Sequence, residues 1–375
     1  MQITQLRLND FRNYTSAELS FCEGINFIQG HNGQGKTSVL EAIYFLCLSR
    51  SFKTQDDTTA IRFEMPYFDI EGRFHRSSLE MNARAICHRT EGKSVLIDKK
   101  RLDRLSELVG KFPSVVSSPE DVQIVSGSPG NRRRWIDIAL SQMHGVYLKD
   151  LQEYRQALRQ RNALLNSPVI RPDNLDVWDK ELAQTGSTII LRRMDFLKSF
   201  SGLAEQVYRQ IAADKETVDM EYKTSIAGSE ELDGWTEAGS TEKIQKAFLE
   251  QLRSGREREI QRKLSLFGPH KDDIVLLLNK KSIRDYGSQG QLKTMAIALK
   301  FAEFLYMADR LDQKPLLLLD DVFSELDWDR RKHLMNYLEN AGQVFLTSAD
   351  EGMKFDTQKK IRYFSVENGH VMRQE

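Results

Sequence analysis

An α/β fold organised around a phosphate-binding loop is predicted by three segments that lie far apart in the chain. Gly30-His31-Asn32-Gly33-Gln34-Gly35-Lys36-Thr37 fits G-x-x-x-x-G-K-[ST]. In that pattern glycines let backbone N–H groups close around phosphates, the lysine reaches the β- and γ-phosphates, and the hydroxyl holds Mg²⁺. Leu316-Leu317-Leu318-Leu319-Asp320-Asp321 is an apolar strand ending in acid. This sets Asp320 beside Thr37 as the second Mg²⁺ anchor of the usual P-loop arrangement. The third segment, Gly287-Ser288-Gln289-Gly290-Gln291, decides the class of P-loop protein. A lone match to such a loop can arise by chance. Here it falls between an apolar strand and a helix, with an acidic strand end downstream, and chance does not supply all of these together. Residues 30–38, closing with Ser38, are therefore the candidate ligands of a nucleoside triphosphate, with Lys36 on its phosphates and Thr37 and Asp320 on Mg²⁺.

Ile25-Asn26-Phe27-Ile28 is a short apolar run that stops at Gln29-Gly30, and beyond Thr37 the residues Val39, Leu40, Ile43, Leu46 and Cys47 recur at three- and four-residue steps. The order is strand, loop, helix. From about 61 to 98, runs such as Phe68-Asp69-Ile70-Glu71-Gly72 and Ser94-Val95-Leu96-Ile97-Asp98 are broken by glycine and charge, which predicts an antiparallel β-rich lobe. Pro119-Glu120-Asp121 reads as a helix start with Ser118 as N-cap. From 119 to 265 the chain is rich in Leu, Gln, Arg, Lys and Glu, with few breakers, which predicts a helical insertion. No heptad repeat persists, so no long coiled coil is expected. Strand signals return at 273–278, followed by a helix near 289–309 and strands at 315–319 and 343–347. The expected domains are thus a discontinuous one, 1–118 with 266–375, and a helical lobe, 119–265.

Lys+Arg and Asp+Glu each number 54, so net charge draws the chain to neither nucleic acid nor membrane and any polyanion site must be local. Cys22, Cys47 and Cys87 include no C-x-x-C pair, which argues against a disulfide framework or a thiolate zinc site and fits a reducing cytoplasm. The first residues carry no apolar signal region, and no apolar run is long enough to span a bilayer. A soluble, unprocessed protein is the expectation.

Ser288 with Gln291 three residues on has the form of a capping box, and the helix end it opens is also an anion site, with a glycine at 290 allowing close approach. A chain that already owns a P-loop has no need of a second phosphate site for its own nucleotide. The arrangement makes sense if Ser288, Gly290 and Gln291 cap the γ-phosphate held by a second copy.

At this point the chain resembles a known family. The Ser-x-Gly-Gln loop ahead of the acidic strand is similar to the signature motif of ABC-type ATPases, and Ser324-Glu325-Leu326-Asp327 to their D-loop. More narrowly, five segments resemble the RecF family of bacterial recombination mediators: Leu8 to Tyr14, Ser118 to Asp121, Asn131 to Asp137 (Asn-Arg-Arg-Arg-Trp-Ile-Asp), Gly268 to Asp273 and Leu319 to Asp327. The resemblance implies an ABC-type, SMC- and Rad50-like ATPase head without the long coiled coil, a homodimer on ATP, that clamps double-stranded DNA at gapped or single-stranded regions. It further implies action with RecO and RecR to load recombinase in recombinational repair and replication restart, with weak, DNA-stimulated ATP hydrolysis. It places Arg12 and Asn13 near the nucleotide. Asp321 stands where many ABC ATPases carry glutamate and would position the attacking water, with Glu325 as the alternative; the shorter carboxylate predicts slow hydrolysis. The strand from Val344 to Asp350 has no switch histidine, leaving Thr347 or Ser348 to face the γ-phosphate, and no Q-loop glutamine is evident near Ser118-Pro119-Glu120-Asp121.

Basic runs are usually solvated faces, so Arg132-Arg133-Arg134 and Arg253, Arg256, Arg258, Arg262 and Lys263 are only candidate phosphate contacts. The histidines show no zinc-ligand spacing, His270 reads as structural or, by family position alone, as near the nucleotide, and Tyr147, Tyr154 and Trp178 read as core residues rather than base-stacking platforms. The rival from another class is the ATPase subunit of a membrane transporter, against which stands the long helical insertion. An ATP-regulated nuclease would need an acidic metal-dependent domain for which no segment is left.

Overall fold

The computed structural model describes residues 1–76, 78–169, 172–212, 216–226, 240–325, 328–350, 352, 355 and 357–374. The chain divides into two compact units. The first comprises Met1–Asp121, Val207–Asp214 and Lys293–Glu375, and the second Val122–Gln206 and Lys215–Leu292. Residues 266–292, expected with the ATPase domain, group by compactness with the insertion.

The first unit holds two six-stranded sheets. One is an antiparallel meander of β1 (Gln2–Phe11), β2 (Tyr14–Ser20), β4 (Tyr67–Arg76), β5 (Leu79–His88), β6 (Gly92–Ile97) and β7 (Lys100–Arg101), in the order β2-β1-β4-β5-β6-β7. This is the expected β-rich lobe. The other contains β3 (Ile25–Gln29), β8 (Ser114–Ser117), β12 (Leu316–Asp320), β13 (Val344–Ser348), β14 (Ile361–Glu367) and β15 (His370–Gln374), in the order β15-β14-β3-β13-β12-β8. Four of its five pairings are parallel, and β14 with β15 is antiparallel. Both ends of the chain thus build one sheet, and β3, β12 and β13 are buried at every residue, as a parallel sheet covered on both faces requires. Helix α1 (Lys36–Leu48) touches strands of both sheets, and nearly all its residues are buried.

The second unit is mostly helical: α2 (Val122–Ser126), α3 (Pro129–Met143), α4 (Gly145–Leu165), most of α5 (Pro172–Ala212), α6 (Ser240–Ser254) and α7 (Arg256–Arg262). It also contains a strand that the helical expectation for 119–265 passed over. That strand, β9 (Val218–Lys223), pairs antiparallel with β10 (Asp273–Leu278), which in turn pairs with the short β11 (Lys281–Ser282). Val218, Met220 and Tyr222 alternate with charged residues, a period-two signal drowned by the helical composition around it. Helix α8 (Ile283–Tyr286) follows, then α9 (Gln289–Arg310), which from Lys293 onward belongs to the first unit, as does α10 (Trp328–Asn340).

The helix start expected at Pro119 is present as a 3-10 turn, Pro119–Asp121, that runs directly into α2. Its cap runs opposite to the expected one: the Asp121 carboxylate accepts the Ser118 backbone N–H at 2.7 Å. Burial raises the Asp121 carboxyl to about 6, against the opposing charge of Lys300.

Several family-like segments form the polar core of the second unit. Arg132 is buried and makes a two-pronged bond to Asp273, at 2.8 and 3.1 Å. Arg133 donates to the Asp272 carbonyl at 2.6 Å, and Arg134 is also engaged. The basic run 132–134 is therefore folded into the unit and does not form a free phosphate-binding face. Asp272 accepts from Tyr222 Oη and the Ser225 N–H at 2.7 and 2.8 Å. His270 Nδ1 lies 2.6 Å from Tyr154 Oη, and burial lowers its pKa to about 4, so it is neutral and structural as expected. Tyr147 and Tyr154 are core residues, while Trp178 is half-buried. Arg256 is tied to Asp176 and Asp179, whereas Arg253, Arg258, Arg262 and Lys263 are exposed.

Candidate functional site

Parallel pairing brings the carboxyl ends of β3, β12, β13 and β8 to one edge of the sheet, the position where open α/β sheets bind ligands. The loop 30–35 leaves β3 there and α1 begins at Lys36, with Gly35 as its N-cap residue at φ +121°. Gly35 has no room for a side chain: a Cβ would come within 2.8 Å of the Asn13 amide and 2.9 Å of Tyr14 Oη. Gly30, at φ +145°, would meet the Val366 carbonyl at 2.4 Å. Both glycines are thus required by close approach as well as by backbone conformation.

The loop is held from two sides. From the turn between β1 and β2, the Asn13 amide donates to the Gln34 carbonyl at 2.6 Å, and Tyr14 Oη to the Gly35 carbonyl at 3.0 Å. From the turn between β14 and β15, the Asn368 N–H donates to Gln34 Oε1 at 2.6 Å and the Gly369 N–H to the Gln34 carbonyl at 3.2 Å. Gln34 is thus a brace that holds the loop's shape. Lys36 Nζ donates to the Gly30 and His31 carbonyls at 2.6 and 2.9 Å. Burial lowers its pKa, opposed by the charges of Asp321 and Asp320.

Thr37 and Asp320 meet as the sequence requires, with Thr37 Oγ1 donating to Asp320 Oδ1 at 2.7 Å. Thr347 Oγ1 donates to the same oxygen at 2.8 Å and accepts the Asp321 N–H at 3.0 Å. Thr347 therefore locks the two acids at the strand end, in addition to lining the cavity. Asp321 adopts φ +52°, its Oδ1 is buried without a hydrogen-bond partner, and burial raises its pKa. A hydroxyl beside a carboxylate suits a hard cation. Mg²⁺ characteristically takes one or two protein oxygens and completes its shell with phosphate and water.

A cavity of about 820 Å³ joins Arg12, Asn13, Asn32, Gly33, Gly35, Lys36, Thr37, Ser38, Asp320 and Asp321. Arg12, at φ +55°, is pinned: its Nε and Nη2 bond Glu41 at 2.8 and 2.5 Å, and its Nη1 bonds the Thr59 carbonyl at 2.8 Å. Glu41 is fully buried in α1 and also accepts from Ser51 Oγ at 2.5 Å. Lys53, Thr58, Thr59, Ile61, Phe63, Arg89 and Pro119 line the same cavity. Apart from Pro119, which follows β8, these reach the site through the β4–β5 lobe and its preceding loop, for which the sequence offered no spacing signal. Leu326 and Asp327 of the D-loop-like segment lie outside the described residues, as does the side chain of Glu325.

Ser288, Gly290 and Gln291 belong to the second unit. The capping box is present: Gln291 Oε1 accepts the Ser288 N–H at 2.8 Å, and Ser288 Oγ accepts the Gln291 N–H at 3.3 Å. Gln291 Nε2 donates onward to Glu216 at 2.6 Å. Ser288 and Gly290 are exposed, and a Cβ on Gly290 would meet nothing within 4 Å.

Sheet order, loop and paired acids define an ABC-type P-loop ATPase head of the SMC-like kind. The model of the RecF/RecN/SMC N-terminal domain matches residues 2–372. The chain is 37% identical over 380 residues to the DNA replication and repair protein RecF of Bacillus mycoides (strain KBAB4), covering 99% of this chain and 98% of that one. It superposes with a TM-score of 0.90 on a solved structure of the recombination mediator protein RecF-ATP in the RecFOR pathway, at 28% identity, covering 100% of this chain and 97% of that one. An Smc head bound to the C-terminal winged-helix domain of ScpA shares the fold, with a TM-score of 0.58 at 14% identity, over 100% of this chain and 98% of that one. The chain belongs to the RecF/RecN/SMC family and, within it, to RecF. Among the described residues no helix is long and apolar enough to cross a membrane.

Proposed function

We propose that this is an ATP-dependent DNA-binding protein of replication and recombinational repair. In this reading two copies close head to head on ATP and clamp DNA at single-strand gaps. The observation that carries the nucleotide part is the Thr37–Asp320 bond at the carboxyl edge of the sheet, beside a buried Lys36 and an Asp321 carboxyl oxygen without a partner. The relatives' names, which carry DNA replication and repair and the RecFOR pathway, support this reading, in which RecO and RecR would be the partners with which recombinase is loaded.

Backbone N–H groups of 30–35 would cradle the phosphates, and Lys36 would exchange its loop carbonyls for phosphate oxygens. Ser38, Asn32 and His31 complete the loop, and Asn13 and Arg12 wall the cavity. Mg²⁺, held by Thr37 and Asp320, would neutralise charge on the β- and γ-oxygens. Asp321 would accept a proton from the attacking water, a role that its raised pKa suits. Hydrolysis is expected to be slow and stimulated by DNA. Functionally, 1–118 with 266–375 would carry the nucleotide chemistry and 119–265 form the inserted lobe. Ser288, Gly290 and Gln291 of one copy would then cap the γ-phosphate bound by the other.

Sedimentation of the purified protein with ATP, with ADP and without nucleotide, each with and without duplex DNA, tests this. Dimerisation and DNA binding that appear together only with ATP are expected. A nucleotide-independent monomer that binds DNA tightly would overturn the clamp.

A further inference from the structure

The two turns that flank the phosphate loop grip it at two adjacent carbonyls. The Gln34 carbonyl accepts from the Asn13 amide at 2.6 Å and from the Gly369 N–H at 3.2 Å. The Gly35 carbonyl accepts from Tyr14 Oη and from the Ser38 N–H, both at 3.0 Å. In a trans peptide the carbonyl and the N–H that follows it point to opposite sides. Holding these two carbonyls on the turns therefore aims the Gly35 and Lys36 N–H groups away from the turns.

Both turns are themselves committed. In the β1–β2 turn the Arg12 N–H donates to the Ala60 carbonyl at 2.7 Å, and the Arg12 guanidinium bonds Glu41 of α1, the helix that the loop opens. Tyr14 is fully buried and burial raises its pKa, so its hydroxyl stays a donor and the Gly35 carbonyl is the partner it needs. The other turn is delivered by the sheet: β14 pairs in parallel with β3, with Ser365 beside Gln29, so the two segments that follow them leave the same edge. Gly369, at φ +74°, comes so close to the first turn that a Cβ would meet the Asn13 carbonyl at 2.5 Å. Asn13 and Gly35 line the cavity, while Tyr14, Gln34 and Gly369 are not part of its lining.

We infer that Asn13, Tyr14 and the Asn368–Gly369 turn are positioning groups for the bound triphosphate: by holding the Gln34 and Gly35 carbonyls outward they preset the Gly35 and Lys36 N–H groups toward its phosphates. The inference rests on the nucleotide reading above and gives Asn13 an indirect role in place of a contact with the nucleotide. Successive backbone N–H groups make an anion site only when they converge. A loop whose peptides were free to flip would have to order them on binding, and its affinity would fall by the fraction of loops already in the competent form.

The test measures affinities for ATP, ADP and inorganic tripolyphosphate, all with Mg²⁺, and the denaturation midpoint without nucleotide. It compares the full chain with Tyr14→Phe, Asn13→Ala and Gly369→Ala. Tyr14→Phe keeps the buried ring and deletes only the hydroxyl. It should weaken all three ligands by one common factor of about 2- to 10-fold, the worth of a single hydrogen bond, and Asn13→Ala should do likewise. Gly369→Ala, which drives its turn off Asn13, should weaken them too, from a position outside the cavity lining. For ATP hydrolysis KM should rise by more than kcat falls, because phosphates once bound hold the N–H groups themselves. Unchanged affinities in Tyr14→Phe and Asn13→Ala would overturn the inference, and with a lowered midpoint they would reduce both side chains to support of the fold. Weaker ATP with intact tripolyphosphate in Asn13→Ala would overturn it by making Asn13 a contact to the nucleoside. If the wild-type chain binds neither ATP nor tripolyphosphate, the phosphate site itself falls and this inference with it.

Discussion

Thr37 Oγ1 and Asp320 Oδ1, 283 positions apart in sequence, lie 2.7 Å apart. Thr347 bonds the same carboxylate oxygen from the neighbouring strand. The bond exists because β3 and β12 both pair in parallel with β13, so Asp320 at the end of β12 and the loop that leads from β3 to Thr37 in α1 lie at the same edge. It fixes the second acid as well, since the Asp321 N–H is held by Thr347 while one of its carboxyl oxygens is left without a partner.

Asp321→Asn should keep ATP and Mg²⁺ binding while lowering turnover about 100-fold or more, the scale of a lost general base. Burial and, to a lesser extent, the charge of Asp320 raise the Asp321 pKa, opposed by Ser324 and Lys36. A base works only when ionised, so wild-type turnover should fall as pH drops through this raised value, above the roughly 3.9 of a free aspartate. The variant's residual rate should lack that acidic limb. A kcat–pH profile over the acidic range checks both; wild-type turnover in the variant would shift the role to Glu325.

Lys36→Ala should abolish ATP binding, and Ser288→Arg should spare ATP binding while blocking ATP-dependent dimerisation by placing bulk where the partner's γ-phosphate would lie. Mixed together, the two variants can form one intact composite site. Partial recovery of ATPase activity is therefore expected in titrations of one against the other, and no recovery at any ratio would count against shared sites.

Arg132→Ala should act on stability rather than on DNA. It strands Asp273 and removes a buried cation, for a loss of about 3 kcal/mol, seen as a lowered denaturation midpoint. Neutralising the exposed Arg253, Arg258, Arg262 and Lys263 should leave stability and ATP binding intact. It should weaken DNA binding at all sequences and flatten the salt slope by about one unit per lost contact. Unaltered DNA affinity in the fourfold variant would place the DNA surface elsewhere.

His270 gives a stability signature. Its pKa is about 4 in the fold, against an ordinary value near 6.5, because burial disfavours the charged ring. Below about 6.5 the unfolded chain gains a proton that the folded one refuses. The stabilising contribution is thus full above that pH and declines as pH falls toward 4. His270→Gln removes the effect, so the stability difference between wild type and variant, followed by urea unfolding from pH 7 to 4.5, should shift against the wild type. A difference independent of pH would mean that the ring titrates normally.

The capping box at Ser288 and Gln291 was legible in the sequence because its two partners are three residues apart, within one turn. The strand, loop and helix from 25 to 48 were legible because period and glycine placement are local signals. The Thr37–Asp320 meeting was legible only because the P-loop motif carries its own geometry. Trp178, half-buried, and the strand at 218–223 were less so, the latter because its partner β10 lies some fifty residues on.

What the sequence determined by itself was therefore the class of fold, the phosphate loop and the acids that face it. Tertiary structure alone decided which polar side chains are spent inside: Arg132 on Asp273, Arg12 on Glu41, and Gln34 on the turn at 368–369. It also decided that Phe63 and Arg89 share a cavity with Lys36. The physical reason is that a side chain's partner is set by which distant segments pack together. A basic run or an isolated phenylalanine has the same local signature whether it ends in water, in a core or against a ligand.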